Sequence, residues 1–419
     1  MGIALHDTAG EAVALFDEAR NDAGVPISVR RAIHQFPELD FDLGRTAGMI
    51  EAELVRIGVR TRRCAGTGIV GVLRGVAPGR TAGLRADMDA LPITESSGAP
   101  FASRNPGIMH ACGHDIHIAG VLGAARLLSR RRERLRGNVV FLFQPAEETS
   151  GGALPMILDG AIDDPTLDAI FSFHCSPELP VGSVGMAPGR FRAASDMLDF
   201  RISGRGCHGA EPQRGIDAVV VAAHIVCALQ HTVARMTDPR DHAVLTIGEI
   251  SGGRARNVVA DSVSMKGILR TLSGDSRSRL LGKIREIVTD VAAAFGAECS
   301  LTRHEGYPCL VNDPAITAFV GNCAADALGR ENVREITEPS MGVDDFAYFL
   351  ERVPGTYFLL GTASQANAAP PTHRNSLRTK DRSRLLPRSA PERAFVFSGR
   401  VIESNRTASP CGTQTGYTC

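Results

Sequence analysis

The stretch MHACGHDIH, residues 109–117, places three histidines, a cysteine and an aspartate within nine positions. Thiolate and imidazole are donors for zinc, cobalt, nickel or manganese-like ions, whereas calcium takes oxygen alone. Cys112 and His114 stand two apart, so both can reach one ion from the same side of an extended segment. A thiolate carries a full negative charge and can bridge two cations, which allows a two-metal site. Further candidates occur elsewhere: Asp87 and Asp89 in RADMDALP, Glu147 and Glu148 in QPAEE, then His174 and His373. Two adjacent glutamates can divide the work, one binding metal and the other carrying protons.

These residues need elements to bring them together. The runs GIVGVLRG (68–75), TAGLRA (81–86), NVVFLF (138–143) and LDAIFSFH (167–174) are apolar over strand length, as expected of strands buried on both faces. Helical segments are expected at 8–23, 28–57, 115–135 and 151–160. The alternation predicts an α/β fold with a mixed, largely parallel sheet. In such sheets ligands collect at the carboxyl ends of strands, where Asp87, Asp89, Glu147, Glu148, His174 and His373 would emerge.

From about residue 195 the rhythm changes. Strands at 196–204, 242–250, 261–272 and 298–305 and helices at 215–235 and 276–295 follow the order βαββαβ of a ferredoxin-like module. The α/β pattern returns afterwards, so one domain is expected to interrupt another. The expected division is a catalytic domain of residues 1–190 and 306–380, an inserted domain of 191–305, and an atypical, disordered tail of 381–419. Periodicity already stops near Arg374.

The whole chain restricts the function. It has 419 residues, 46 basic and 46 acidic, so no field of one sign invites nucleic acid or an anionic membrane. No apolar run approaches the roughly 20 residues expected of a membrane span, and the first residues do not read as a secretion signal. Ten cysteines without a C-x-x-C pair suit free thiols in a reducing cytoplasm. GTGIVG (66–71) leads into a strand and is discounted as a dinucleotide motif. RRRER (130–134) reads as a solvated helix end. His34, His224, His231 and His242 read as structural or exposed, and His110, Asp115 and His117 as positioning the motif loop.

In their order along the chain, LRADMDALPI, GIMHACGHDIHIAGVLGAA, FQPAEE, FHCSPELPVG, GRGCHGAEP, NVV and DDFAYF resemble the M20 metallopeptidase family. The similarity spans roughly residues 30–373 and falls in the branch of hippurate hydrolases, N-acyl-L-amino-acid amidohydrolases and auxin-conjugate hydrolases. The resemblance implies an inserted domain that acts as a lid and commonly forms a homodimer. It implies two divalent metal ions on Cys112, His114, Glu148, His174 and His373, with Cys112 shared. Glu147 would be the general acid/base, and Asp87 and Asp89 would support ligands and base. His208 would polarise the substrate carbonyl, and Asn257 and Arg270 would hold the substrate's carboxylate. The implied reaction is metal-dependent hydrolysis of N-acyl-L-amino acids. Two other readings share these residues: a metal-binding protein without turnover, and a dipeptidase or carboxypeptidase of the same fold.

Overall fold

The computed structural model describes residues 8–363, with side chains from residue 14. His373 and the tail lie outside the described residues. Two compact units divide the chain: the second is Gly189–Val311 with Thr337–Tyr348, and the first takes the remaining segments.

The first unit opens with helices α1 (Thr8–Asp22), α2 (Gly24–Gln35) and α3 (Gly44–Arg56). The single helix expected at 28–57 is therefore two. Pro37 explains the break, because it has no N–H and disfavours helical backbone at Phe36. Strands β1 (Arg60–Cys64), β2 (Gly68–Arg74) and β3 (Ala77–Asp87) follow, then α4 (His114–Arg130), β4 (Arg136–Gln144), α5 (Ala153–Leu158), β5 (Ala169–Pro180) and β6 (Val184–Met186).

The second unit contains β7 (Gly189–Arg192), β8 (Ala194–Ser203), β9 (Cys207–His208), α6 (Ala218–Met236), β10 (Ala243–Gly252), β11 (Val258–Val259), β12 (Ser262–Thr271), α7 (Gly274–Ala294), β13 (Glu298–Glu305) and β14 (Leu310–Asn312). The chain then returns to the first unit with α8 (Pro314–Leu328), β15 (Val333–Glu335) and β16 (Gly355–Ala363).

The first unit's eight-stranded sheet runs β1-β2-β4-β3-β5-β16-β6-β15. Its centre, β4-β3-β5-β16, is parallel, while β1, β2 and β6 join antiparallel. Phe141, Phe143, Phe171 and Phe358 pack with Ile118, Leu122 and Leu128 of α4. On its other side α4 meets Ala19 of α1 and Ala23 through Ala119 and Leu127. Enclosed from both sides, α4 is buried from His114 through Leu128, as an all-round apolar helix should be.

The second unit's four-stranded antiparallel sheet has the order β10-β12-β8-β13. With α6 and α7 between the strand pairs in sequence, this is the ferredoxin-like arrangement. Its core joins Leu198 and Phe200 to Ile225, Leu229, Ile284 and Val288. The segment 337–348 also belongs here, although the sequence reading placed it with the catalytic domain. Backbone pairing accounts for this, since Ala193 N donates to the carbonyls of Ser340 and Gly342.

Against the expectation of no apolar run near spanning length, the 19-residue α6 is long and apolar enough to qualify by composition. Val221, Ile225 and Leu229 nevertheless face the core of this unit.

Candidate active site

At the carboxyl end of β3 the fully buried Arg85 organises its neighbours. It donates from Nη1 to Asp87 Oδ2 at 2.6 Å and from Nε to Gln144 Oε1, at the end of β4, at 2.8 Å. Asp87 Oδ1 receives His117 Nδ1–H at 2.6 Å. The tautomer follows from the other ring nitrogen, because Cys175 N–H donates to His117 Nε2 at 3.0 Å. Both Asp87 oxygens and both His117 nitrogens therefore have partners. They stand beside His114, Asp87 Oδ2 lying 3.7 Å from its Nε2.

Asp89, two residues on, grips two candidate ligands. Its carbonyl accepts His114 Nδ1–H at 2.8 Å, and its Oδ2 accepts the Glu148 backbone N–H at 2.9 Å. A histidine that gives one ring N–H to a fixed carbonyl presents its second nitrogen as a ligand. His114 Nε2 is buried without a hydrogen-bond partner, as is Glu148 Oε1. These two atoms lie 3.8 Å apart, and Glu147 Oε2 is 4.0 Å from the same nitrogen.

The second pair of donors is built the same way. His174 Nδ1–H donates to the Cys175 carbonyl at 2.8 Å, and His174 Nε2 stands 3.2 Å from Cys112 Sγ. His174 was expected at a strand end. It lies instead within β5, which continues to Pro180 because β16 pairs along it, Leu359 opposite His174. The extended segment expected for Cys112 and His114 is also replaced. Gly113 adopts φ 95°, a left-handed conformation natural to glycine, and His114 is the first residue of α4. This turn lets a loop cysteine and a helix histidine converge.

Three donor groups within this unit, Cys112/His114/His174, His114/Glu147/Glu148 and Asp87/His114/His117, each have ligand atoms within 4.8 Å of one another. His114 belongs to all three, and in the last the Asp87 oxygens and His117 nitrogens are already hydrogen-bonded. Such short spacing among nitrogen, sulfur and carboxylate donors fits a transition metal rather than an alkaline-earth ion.

The electrostatics are those of a site rich in negative charge, where a proton on His114 holds the place a cation would take. Burial resists charge on His114, but Asp87 and Cys112 outweigh it and hold the imidazole well above its ordinary pKa. Burial likewise opposes ionisation of Asp87, yet His114, Arg85 and His117 hold its carboxyl well below the usual range. Desolvation pushes the Cys112 thiol up to about 12, against the pull of His114, so a cation is needed to hold it as thiolate. Immediately before Glu147, the buried Ala146 sits at φ 56°, a strained position for a residue with a Cβ. Such strain concentrates where side chains must be aimed.

The remaining candidates lie in the second unit. His208 is exposed on β9, its Nδ1 accepting from Ala210 N at 3.1 Å. Asn257 is exposed, and its carbonyl accepts Gly209 N–H. Arg270, half-buried on β12, donates to the Met341 carbonyl at 2.7 Å. His373 lies outside the described residues. Sequence reasoning missed Arg85 and Gln144; the signal was a charged residue inside the apolar run GLRA.

The model of peptidase family M20/M25/M40 matches residues 83–381. N-acetyl-L-cysteine deacetylase of Bacillus subtilis is 40% identical over 338 residues, 80% of this chain and 80% of its own length. IAA-amino acid hydrolase ILR1-like 4 of Arabidopsis thaliana is 36% identical over 382 residues, 90% of this chain and 86% of its own. The crystal structure of Bacillus subtilis YXEP, described as a dinuclear metal-binding peptidase of the M20 family, aligns with a TM-score of 0.76. It is 30% identical and covers 91% of this chain and 98% of its own. A match across this much of the chain, with the α/β fold shared, makes the protein an enzyme of peptidase family M20/M25/M40, in its amidohydrolase branch.

Proposed function

We propose that the protein hydrolyses the amide bond of N-acyl-L-amino acids, using two divalent transition-metal ions. Cys112, His114, Glu148, His174 and His373 would hold them. One observation carries the reading: His114 gives Nδ1–H to Asp89 and buries Nε2 unpartnered beside Glu148 Oε1, itself unpartnered. A buried ring nitrogen this close to the Asp87, Glu147 and Glu148 carboxylates calls for positive charge between them, either a proton on the imidazole or a metal ion that displaces it. The N-acyl substrate class is supported by the names of the two relatives, an N-acetyl-L-cysteine deacetylase and an IAA-amino acid hydrolase.

When bound, the metal pair supplies positive charge that acidifies water and polarises the acyl carbonyl. Glu147 moves the proton. It takes one from the attacking water as the new C–O bond forms, then returns it to the amide nitrogen as the C–N bond breaks. A carboxylate and a free amino acid result. Asp89 fixes the Glu148 backbone and the His114 ring, and Glu147 is the carboxylate proposed to exchange the proton. His208 donates to the developing oxyanion, a contribution of about 3–4 kcal/mol for one well-placed donor. Asn257 and Arg270 receive the substrate carboxylate.

A homodimer through the second unit is supported by exposed Val219 and Val220 on α6, and by exposed Val244 and Ile250 on the edge strand β10. The eight described cysteines are free thiols, which suits the cytoplasm.

The two glutamates give the test. Glu147→Gln should keep full metal content and lose turnover by two orders of magnitude or more. Glu148→Gln should lose metal affinity first. A Glu147→Gln protein with wild-type turnover would overturn the assignment.

A further inference from the structure

Helix α2 reaches the metal loop through a buried chain of charges that the reaction itself does not use. Asp115 follows His114 in the first turn of α4, and successive helical residues diverge by about 100°, so its carboxylate leaves in a different direction. Asp115 Oδ2 receives Arg30 Nε at 2.6 Å and His34 Nδ1 at 2.9 Å. All three side chains are at most 3% exposed. The other Asp115 oxygen is buried without a partner, so the entire hold passes through Oδ2.

The chain continues outward. His34 Nε2 stands 3.3 Å from Glu95 Oε1, and Glu95 is fixed by the Ser97 hydroxyl and by Ser103 N–H at 2.6 Å. Phe101 meets the His34 ring edge-on at 5.5 Å and lies 5.0 Å from the Arg30 guanidinium. His110, 6.2 Å from His34, is buried with neither nitrogen partnered.

We propose that Arg30 and His34, acting through Asp115, are positioning residues that hold Cys112 and His114 in the geometry the metals require. This rests on the metal-site reading above. Buried ion pairs contribute little net stability, because desolvation offsets their attraction, and an apolar contact would join α2 to α4 as well. What an ion pair adds is a fixed direction, and here it fixes the residue next to a ligand. Outer partners of this kind typically change metal affinity 10- to 100-fold when lost.

The experiment titrates metal-free protein with Co²⁺ against a competing chelator, following the thiolate-to-cobalt absorption band, in wild type, His34→Gln, Arg30→Met and Arg30→Lys. His34→Gln and Arg30→Met should bind Co²⁺ roughly 10- to 100-fold more weakly with an altered band. With saturating metal, kcat should fall while KM holds. Arg30→Lys keeps the charge and should recover most of the affinity. Asp115→Asn strands two buried cations and can unfold the protein, so Arg30→Met and His34→Gln, which remove one partner at a time, decide. Folded His34→Gln and Arg30→Met proteins with wild-type affinity and band would overturn the proposal. Cys112→Ser is run in parallel. An unchanged cobalt band in that variant would mean that the ligand assignment itself had failed, and the positioning role with it.

Discussion

His114 and Glu148 reach the site by different routes, and each depends on a local backbone choice. For His114 the choice is Gly113, whose φ of 95° turns the chain from the Cys112 loop into α4. A Cβ there costs about 1–2 kcal/mol in the left-handed region. Gly113→Ala should therefore lower Tm by several degrees and weaken metal binding with it; a melt and a metal titration at wild-type values would contradict this. The donor types were legible in the sequence because thiol, imidazole and adjacent carboxylates are visible as letters. Which lone pair remains for a ligand was not. That depends on Asp89 occupying His114 Nδ1, and on Arg85 and His117 occupying Asp87. Such pairings join residues far apart in the chain and leave no local pattern.

Elements were easier to read than their ends. Apolar runs marked β2 to β5, since strands buried on both faces have nothing polar to alternate with. The same runs could not reveal that β2 enters the sheet antiparallel, or that β5 runs six residues past His174. α4 is buried from His114 through Leu128, and Leu122 on it is fully buried against the sheet. Leu122→Ala should cost about 2–5 kcal/mol in chemical denaturation, and a loss below 1 kcal/mol would contradict the packing described.

His34 was read as structural or exposed, and it is structural: buried, it ties α2 to α4 through Asp115. Burial alone would lower its pKa, but Asp115 and Glu95 outweigh burial and Arg30, raising it above 6.5. A raised pKa means the folded state binds the proton more tightly than the unfolded state. The stabilisation is complete below about pH 6.5 and is lost as pH rises through the folded value. The Tm gap between wild type and His34→Gln, both metal-free, should thus narrow as pH is raised from 6 to 9. A gap that widens would contradict a charged His34.

Across the whole molecule, the sequence rhythm separated an α/β pattern from a βαββαβ pattern, and both architectures are present. The rhythm missed segment 337–348 because its membership in the second unit rests on backbone bonds to Ala193, not on periodicity. His208 is proposed as the oxyanion donor. His208→Ala should lower kcat about 100- to 1,000-fold with metal content unchanged, as loss of one oxyanion donor does. A variant that loses metal instead would place His208 in a different role.

The central claim is amide hydrolysis that depends on bound transition metal. The most direct measurement strips the protein of metal and restores Zn²⁺, Mn²⁺, Co²⁺ or Ni²⁺. Free amino acid released from a panel of N-acyl-L-amino acids is then followed. Release that is absent without metal and returns with it is the predicted result. A folded protein carrying two metal ions that releases nothing across the panel would contradict the claim.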